Sequence, residues 1–190
     1  MKHYELVERA AKWLAVRCPV VITEMTTSAG ETPDAIGFSV HRSILIECKT
    51  SMADFRRDAK KPSRRRQQLA GDAPWPDTAA SRWWASALGD KRYYAVPFDI
   101  ADKVGAVLES EDSAWGLLSP PNDKSIVLRV RREARDNHER NTHWREVAML
   151  VSALRRVGGV RGTSGPQVYV KLYLITKPNG EPRATMGVKP

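Results

Sequence analysis

A chain of 190 residues is long enough for one domain with its own core and too short for two of ordinary size. Lys and Arg exceed Asp and Glu by 31 − 22 = +9 and the pI is about 9.8, which favours a polyanionic partner, nucleic acid first, over an acidic surface or a neutral metabolite, although ribosome or membrane-surface binding would produce the same charge. No apolar run approaches the roughly 20 residues of a membrane span, and the charged start from Met1 to Glu5 is unlike a signal peptide, so Cys18 and Cys48 are expected to be reduced thiols in a cytoplasmic protein without a membrane partner.

Residues 3–17 carry Leu6, Val7, Ala10, Trp13 and Leu14 at helical spacing and predict an amphipathic helix that ends near Cys18-Pro19. The β-branched run 20–25 predicts a first strand with Glu24 at its far end, and the loop after it, with Gly30, turns the chain back towards Asp34. Residues 34–40 predict a second strand, and a polar turn at 41–43 leads into a third at 44–50. In that third strand Ile44, Ile46 and Cys48 alternate with Leu45, Glu47 and Lys49, so one face is apolar while Glu47 and Lys49 project together from the other. Pairing the second and third strands as a hairpin brings Asp34 near Glu47. Two carboxylates at close quarters resist ionisation unless a cation lies between them, and Mg²⁺ (or Mn²⁺) suits a site of one or two carboxylates completed by waters and phosphate oxygens. Lys49 would then stand beside the metal, to hold a phosphate or orient an attacking water.

Ser51 is the expected N-cap of a helix over 51–61, with Asp54 three residues on as a capping-box-like acid and Pro62 as its stop. Between positions 56 and 66, seven of eleven residues are basic (Arg56, Arg57, Lys60, Lys61, Arg64, Arg65, Arg66); beside a metal site that takes phosphate, they are the candidate nucleic-acid contacts. Residues 67–92, broken by Gly71, Pro74 and Pro76, read as an insertion in which a short helix over 78–88 carries Trp83 and Trp84 against the body, while stacking of Trp75, Trp83 and Trp84 on unpaired bases is the other reading. Residues 92–97 read as the last core strand, parallel to its neighbour. A helix over 99–108 follows, and then an edge hairpin from strands 115–118 and 126–130, with Arg129, Arg131, Arg132 and Arg135 as a second basic group. A helix over 141–157 presents Trp144, Val147, Ala148, Val151 and Leu154 on one face, and a last strand spans 168–175. His138 and His143 have no usual zinc spacing and no neighbouring cysteine.

Pro33-Asp34 followed by Glu47-Cys48-Lys49 resembles the signature of the PD-(D/E)xK nuclease superfamily, the restriction-endonuclease-like proteins. The continuation through Ser51, Asp54-Phe55 and Asp58-Ala59-Lys60-Lys61 looks like the "ExKxSxxDFxxDxKK" run of small bacterial and phage members. This resemblance covers the first third of the chain. It implies an α/β fold, a three-layer αβα sandwich around a mixed sheet with an αβββαβ core over about 3–100, and accessory elements over about 110–176 in the same domain. It also implies a Mg²⁺-dependent endonuclease in which Asp34 and Glu47 hold the ion with the Cys48 carbonyl, Lys49 acts on the water, and Glu24 or Glu8 assists; Ser51 and Asp54 are accessory positions. DNA is favoured over RNA as substrate, and a homodimer acting on two strands remains open. The alternative is a non-catalytic nucleic-acid-binding or regulatory protein that keeps the fold; its expected mark is loss of an acid or of the lysine, and all three are present.

Overall fold

A computed structural model of the chain describes residues 1–25, 32–59, 88–136 and 143–157. Among these, four helices and six strands form a mixed α/β structure: α1 (His3–Ala15), β1 (Val20–Thr23), β2 (Ala35–Phe38), β3 (Ser43–Cys48), α2 (Met52–Ala59), β4 (Lys91–Ala95), α3 (Phe98–Ser110), β5 (Gly116–Ser119), β6 (Arg129–Arg132) and α4 (His143–Val157). The six strands lie in one sheet in sequence order. β1, β2 and β3 pair antiparallel, β3, β4 and β5 pair parallel, and β6 returns antiparallel to β5. Parallel pairing of β3 with β4 requires a crossover, and α2 lies within it.

Local chemistry accounts for the element ends. Glu5 Oε2 accepts the Lys2 N–H at 3.0 Å at the start of α1, and at its end the Arg17 and Cys18 N–H groups both donate to the Leu14 carbonyl (2.7 and 2.8 Å) before Pro19, which has none to donate. The turn between β2 and β3 is closed by Ser39, whose N–H and Oγ both reach the Arg42 carbonyl at 2.9 Å. Ser51 caps α2, its Oγ accepting the Asp54 N–H at 3.2 Å. Gly37 is held to glycine by a close approach: a Cβ there would lie 2.8 Å from Cys18 Sγ, where the link after α1 crosses the sheet.

Each face of the sheet has its own apolar core. On one, α1 supplies Leu6, Val7, Ala10, Ala11, Trp13 and Leu14 against Val21, Ala35, Ile44, Ile46, Cys48, Tyr93 and Ala95. On the other, Phe55 of α2, Ile100, Ala101, Val104 and Leu108 of α3, and Met149 and Ala153 of α4 cover Ile22, Ile36, Leu45, Tyr94 and Leu117. The alternation along β3 is as expected, but its second face is not a solvated one. All six residues of β3 are buried, and Glu47 and Lys49 are 5% and 6% exposed, because helices cover both sides of this central strand. Cys18 and Cys48 are buried free thiols; burial pushes Cys18 up to about 11, against the lowering pull of Arg17 and Arg42.

Three expected elements are shifted. Trp115 precedes β5, and β6 begins at Arg129, leaving Ile126 and Val127 exposed while Leu128 turns into the core. On α4 the inward face runs through Glu146, Met149 and Ala153, whereas Val147 and Val151 are exposed. A buried carboxylate sets that rotation: Glu146 Oε1 accepts the Ser43 hydroxyl at 2.7 Å and the Gly89 N–H at 3.0 Å, so the helix is anchored by a polar residue that hydrophobic periodicity assigns to the outside. The insertion over 67–87 with its tryptophans, His138 and the strand over 168–175 lie outside the described residues, as does the side chain of His143.

Candidate functional site

β1 and β3 end, and β2 begins, at the same margin of the sheet, because the antiparallel register sets Thr23 opposite Ala35 and Ala35 opposite Ile46. Asp34, one residue before β2, therefore lies beside the end of β3. Its Oδ2 accepts the Cys48 N–H at 2.7 Å, its carbonyl accepts the Glu24 N–H at 3.1 Å, and its Oδ1 is 3.5 Å from Nε2 of His3, at the start of α1. Through its carboxylate and its main-chain carbonyl, Asp34 thus ties the end of β3 and the residue after β1 to the start of α1. Glu24 is exposed and has φ +52°, the left-handed region that side chains other than glycine enter at a cost of about 1–3 kcal/mol.

Lys49 follows β3, and its N–H extends the parallel ladder by donating to the Ala95 carbonyl at 2.9 Å. Its ammonium is 3.0 Å from Glu47 Oε2 and 3.2 Å from Asp58 Oδ1. Asp58 Oδ2 in turn accepts the hydroxyl of Tyr94, the residue opposite Glu47 in β4, at 2.9 Å. Burial works against the charged ammonium, but Glu47, Asp58 and then Asp34 outweigh it, and Lys49 is held above its ordinary pKa. The Cys48 thiol is pushed well up by burial first and by Asp34 and Glu47 next, with Glu24 adding to them against Lys49. Counted formally, Asp34, Glu47 and Asp58 against Lys49 give −3 + 1 = −2.

The outlying candidates divide. Glu8 pairs with Lys12 at 2.9 Å on the exposed side of α1. Ser51 is the cap described above, and Asp54 carries the N–H that it receives. Arg56 and Arg57 are on the exposed face of α2, opposite Phe55 and Asp58; Lys60, Lys61, Arg64, Arg65 and Arg66 lie outside the described residues. The second basic group is largely engaged within the chain. Arg132 donates to the carbonyls of Trp115 and Ser113, Arg131 Nε reaches Ser119 Oγ at 3.3 Å, and Arg135 pairs with Asp112.

Sequence reasoning did not assign His3, Asp58 or Tyr94 to this site. Asp58 carried a signal: with Phe55 it falls at i, i+3 on the buried side of a short helix that follows the Glu-x-Lys strand. His3 carried none, since only the packing of α1 brings it to Asp34. Among the described residues no three His, Cys, Asp or Glu side chains are gathered as a ligand set. In comparisons with protein-family models, with curated proteins and with solved structures, nothing matches this chain.

Proposed function

We propose that this protein is a metal-dependent nuclease that hydrolyses phosphodiester bonds, with DNA favoured over RNA, on a restriction-endonuclease-like three-layer αβα sandwich. The order α1, β1, β2, β3, α2, β4 agrees with the αβββαβ core that the sequence resemblance implies, and α3, β5, β6 and α4 would be additions to it. The observation that carries the reading is that Asp34, held by the Cys48 N–H, and the buried Glu47–Lys49 pair stand at the same end of β3.

The donor chemistry fits a hard divalent cation. Asp34 and Glu47 with the Cys48 carbonyl are all oxygen donors, and Mg²⁺ tolerates so few protein ligands because it retains waters and takes phosphate oxygens from its substrate. When bound, the ion would supply Lewis-acid polarisation of the scissile phosphate and a more acidic water. Against burial, Glu47, Asp58 and Asp34 hold Lys49 in its charged form in the metal-free chain, and a charged ammonium has no lone pair with which to take a proton. Its part is therefore to donate: to orient the water or hold a non-bridging phosphate oxygen as negative charge develops there. The backbone hydrogen bond from Cys48 keeps Asp34 aimed at the end of β3.

The direct test is incubation with linear, circular and branched DNA and with RNA, with and without Mg²⁺ or Mn²⁺. Metal-dependent breakage is the expected result, and cleavage in excess chelator would end the reading. A competing reading, a non-catalytic nucleic-acid-binding domain, draws on the burial of Lys49 between two carboxylates, an arrangement that also serves as an internal ion network; binding without cleavage under every condition would favour it. Replacing Arg56 and Arg57 together by Ala is expected to weaken DNA binding alike for all sequences and to flatten its log–log salt dependence by roughly one unit per lost phosphate contact. An unchanged slope in a salt titration would make both residues ordinary surface charges.

A further inference from the structure

Lys49 has a second partner that the nuclease reading does not use. Its ammonium donates a hydrogen bond to Glu47 Oε2 at 3.0 Å and forms an ion pair with Asp58 Oδ1 at 3.2 Å, and Asp58 is 2% exposed, on the helix that covers this end of the sheet. The other oxygen of Asp58 is held by the Tyr94 hydroxyl at 2.9 Å. Tyr94 is itself locked by Phe55, edge-on at 5.0 Å, and by Trp115, stacked at 4.5 Å. The anion on the far side of Lys49 is thus fixed by packing.

We infer that Asp58 is a positioning residue: the second counter-ion that holds the Lys49 ammonium when Glu47 turns to a divalent cation, and so keeps that carboxylate available to the ion. This rests on the nuclease reading of the same site. An ammonium with Glu47 as its one close anion would compete with a metal for it; with two anions at nearly equal distances, it keeps a buried partner when Glu47 is engaged elsewhere. The formal charge of −2 left by Asp34, Glu47 and Asp58 against Lys49 is also the charge a divalent ion neutralises, and removing Asp58 would halve it.

The test is calorimetric titration of Mn²⁺ or Mg²⁺ into the metal-free full chain, with no substrate, for the wild type, Asp58→Asn, Lys49→Met and the double variant. Asp58→Asn is near-isosteric, and it is expected to weaken metal binding by about 10–100-fold. The double variant is expected to return to within about threefold of the wild type, because the competitor is gone and the formal charge is restored. A purely structural role for Asp58 would leave the double variant as weak as Asp58→Asn, and that result overturns the inference, as does an Asp58→Asn variant that binds like the wild type. A wild type that binds neither ion overturns the metal reading and this inference together, which separates the two failures. Should Asp58→Asn not fold, Tyr94→Phe with and without Lys49→Met carries the same cycle: a smaller loss that Lys49→Met reverses supports the role, and one it does not reverse refutes it.

Discussion

Lys49→Ala is expected to lower Mg²⁺-dependent cleavage by about 10²–10⁴-fold, the usual worth of a positioned group acting on protons or charge in the transition state, while leaving divalent-ion binding unchanged or tighter. The ammonium is 3.0 Å from Glu47 and is no ligand itself, so its loss frees a carboxylate and removes none. Asp34→Ala and Glu47→Ala are expected to lose both ion binding and cleavage, since each removes one of the two carboxylates proposed to hold the ion. Because Lys49→Ala leaves Glu47 and Asp58 buried without their cation, the far-UV circular dichroism and melting temperature of each variant are read beside its activity, and Lys49→Ala is expected to be the less stable for it. Cleavage assays run beside metal titrations separate the cases. Equal cleavage by Lys49→Ala and the wild type would end the proposed mechanism even if the fold reading stood.

Trp115→Ala is expected to destabilise the chain by about 3–5 kcal/mol, the range for removing a large buried aromatic. Trp115 is 2% exposed, stacks on Tyr94 at 4.5 Å and carries the Arg92 guanidinium over its ring at 4.6 Å, so truncation opens a cavity and strips a buried cation of its aromatic partner. For a chain of this size that corresponds to a fall in melting temperature of roughly 6–20 °C. Denaturant and thermal unfolding check it, and a loss below about 1 kcal/mol would show that the ring is not part of the core.

Much of the first half of this chain is legible in the sequence because its determinants are local. The helical spacing of Leu6, Val7, Ala10 and Leu14 predicts α1, the period-two alternation through Ile44, Ile46 and Cys48 predicts β3, and Ser51 ahead of an amphipathic turn predicts the start of α2. Each rests on neighbours within one or two turns of chain, as does the hairpin that returns Asp34 to the end of β3. Burial of the Glu47 and Lys49 face was decided elsewhere: alternation shows that a strand has two faces, and only the helices packed across the sheet determine that neither meets water. The rotation of α4 is of the same kind, since Glu146 points inward for a hydroxyl on Ser43, 103 positions away. So are the approach of His3 to Asp34 and the closing of Asp58 on Lys49, which join a helix to the end of a strand from another part of the chain. Sequence alone therefore determined which residues could carry charge at this margin of the sheet. Tertiary packing decided which of them share a buried site, because a charge withdrawn from water must be matched by whatever the fold brings within hydrogen-bond reach, and sequence spacing does not encode that distance.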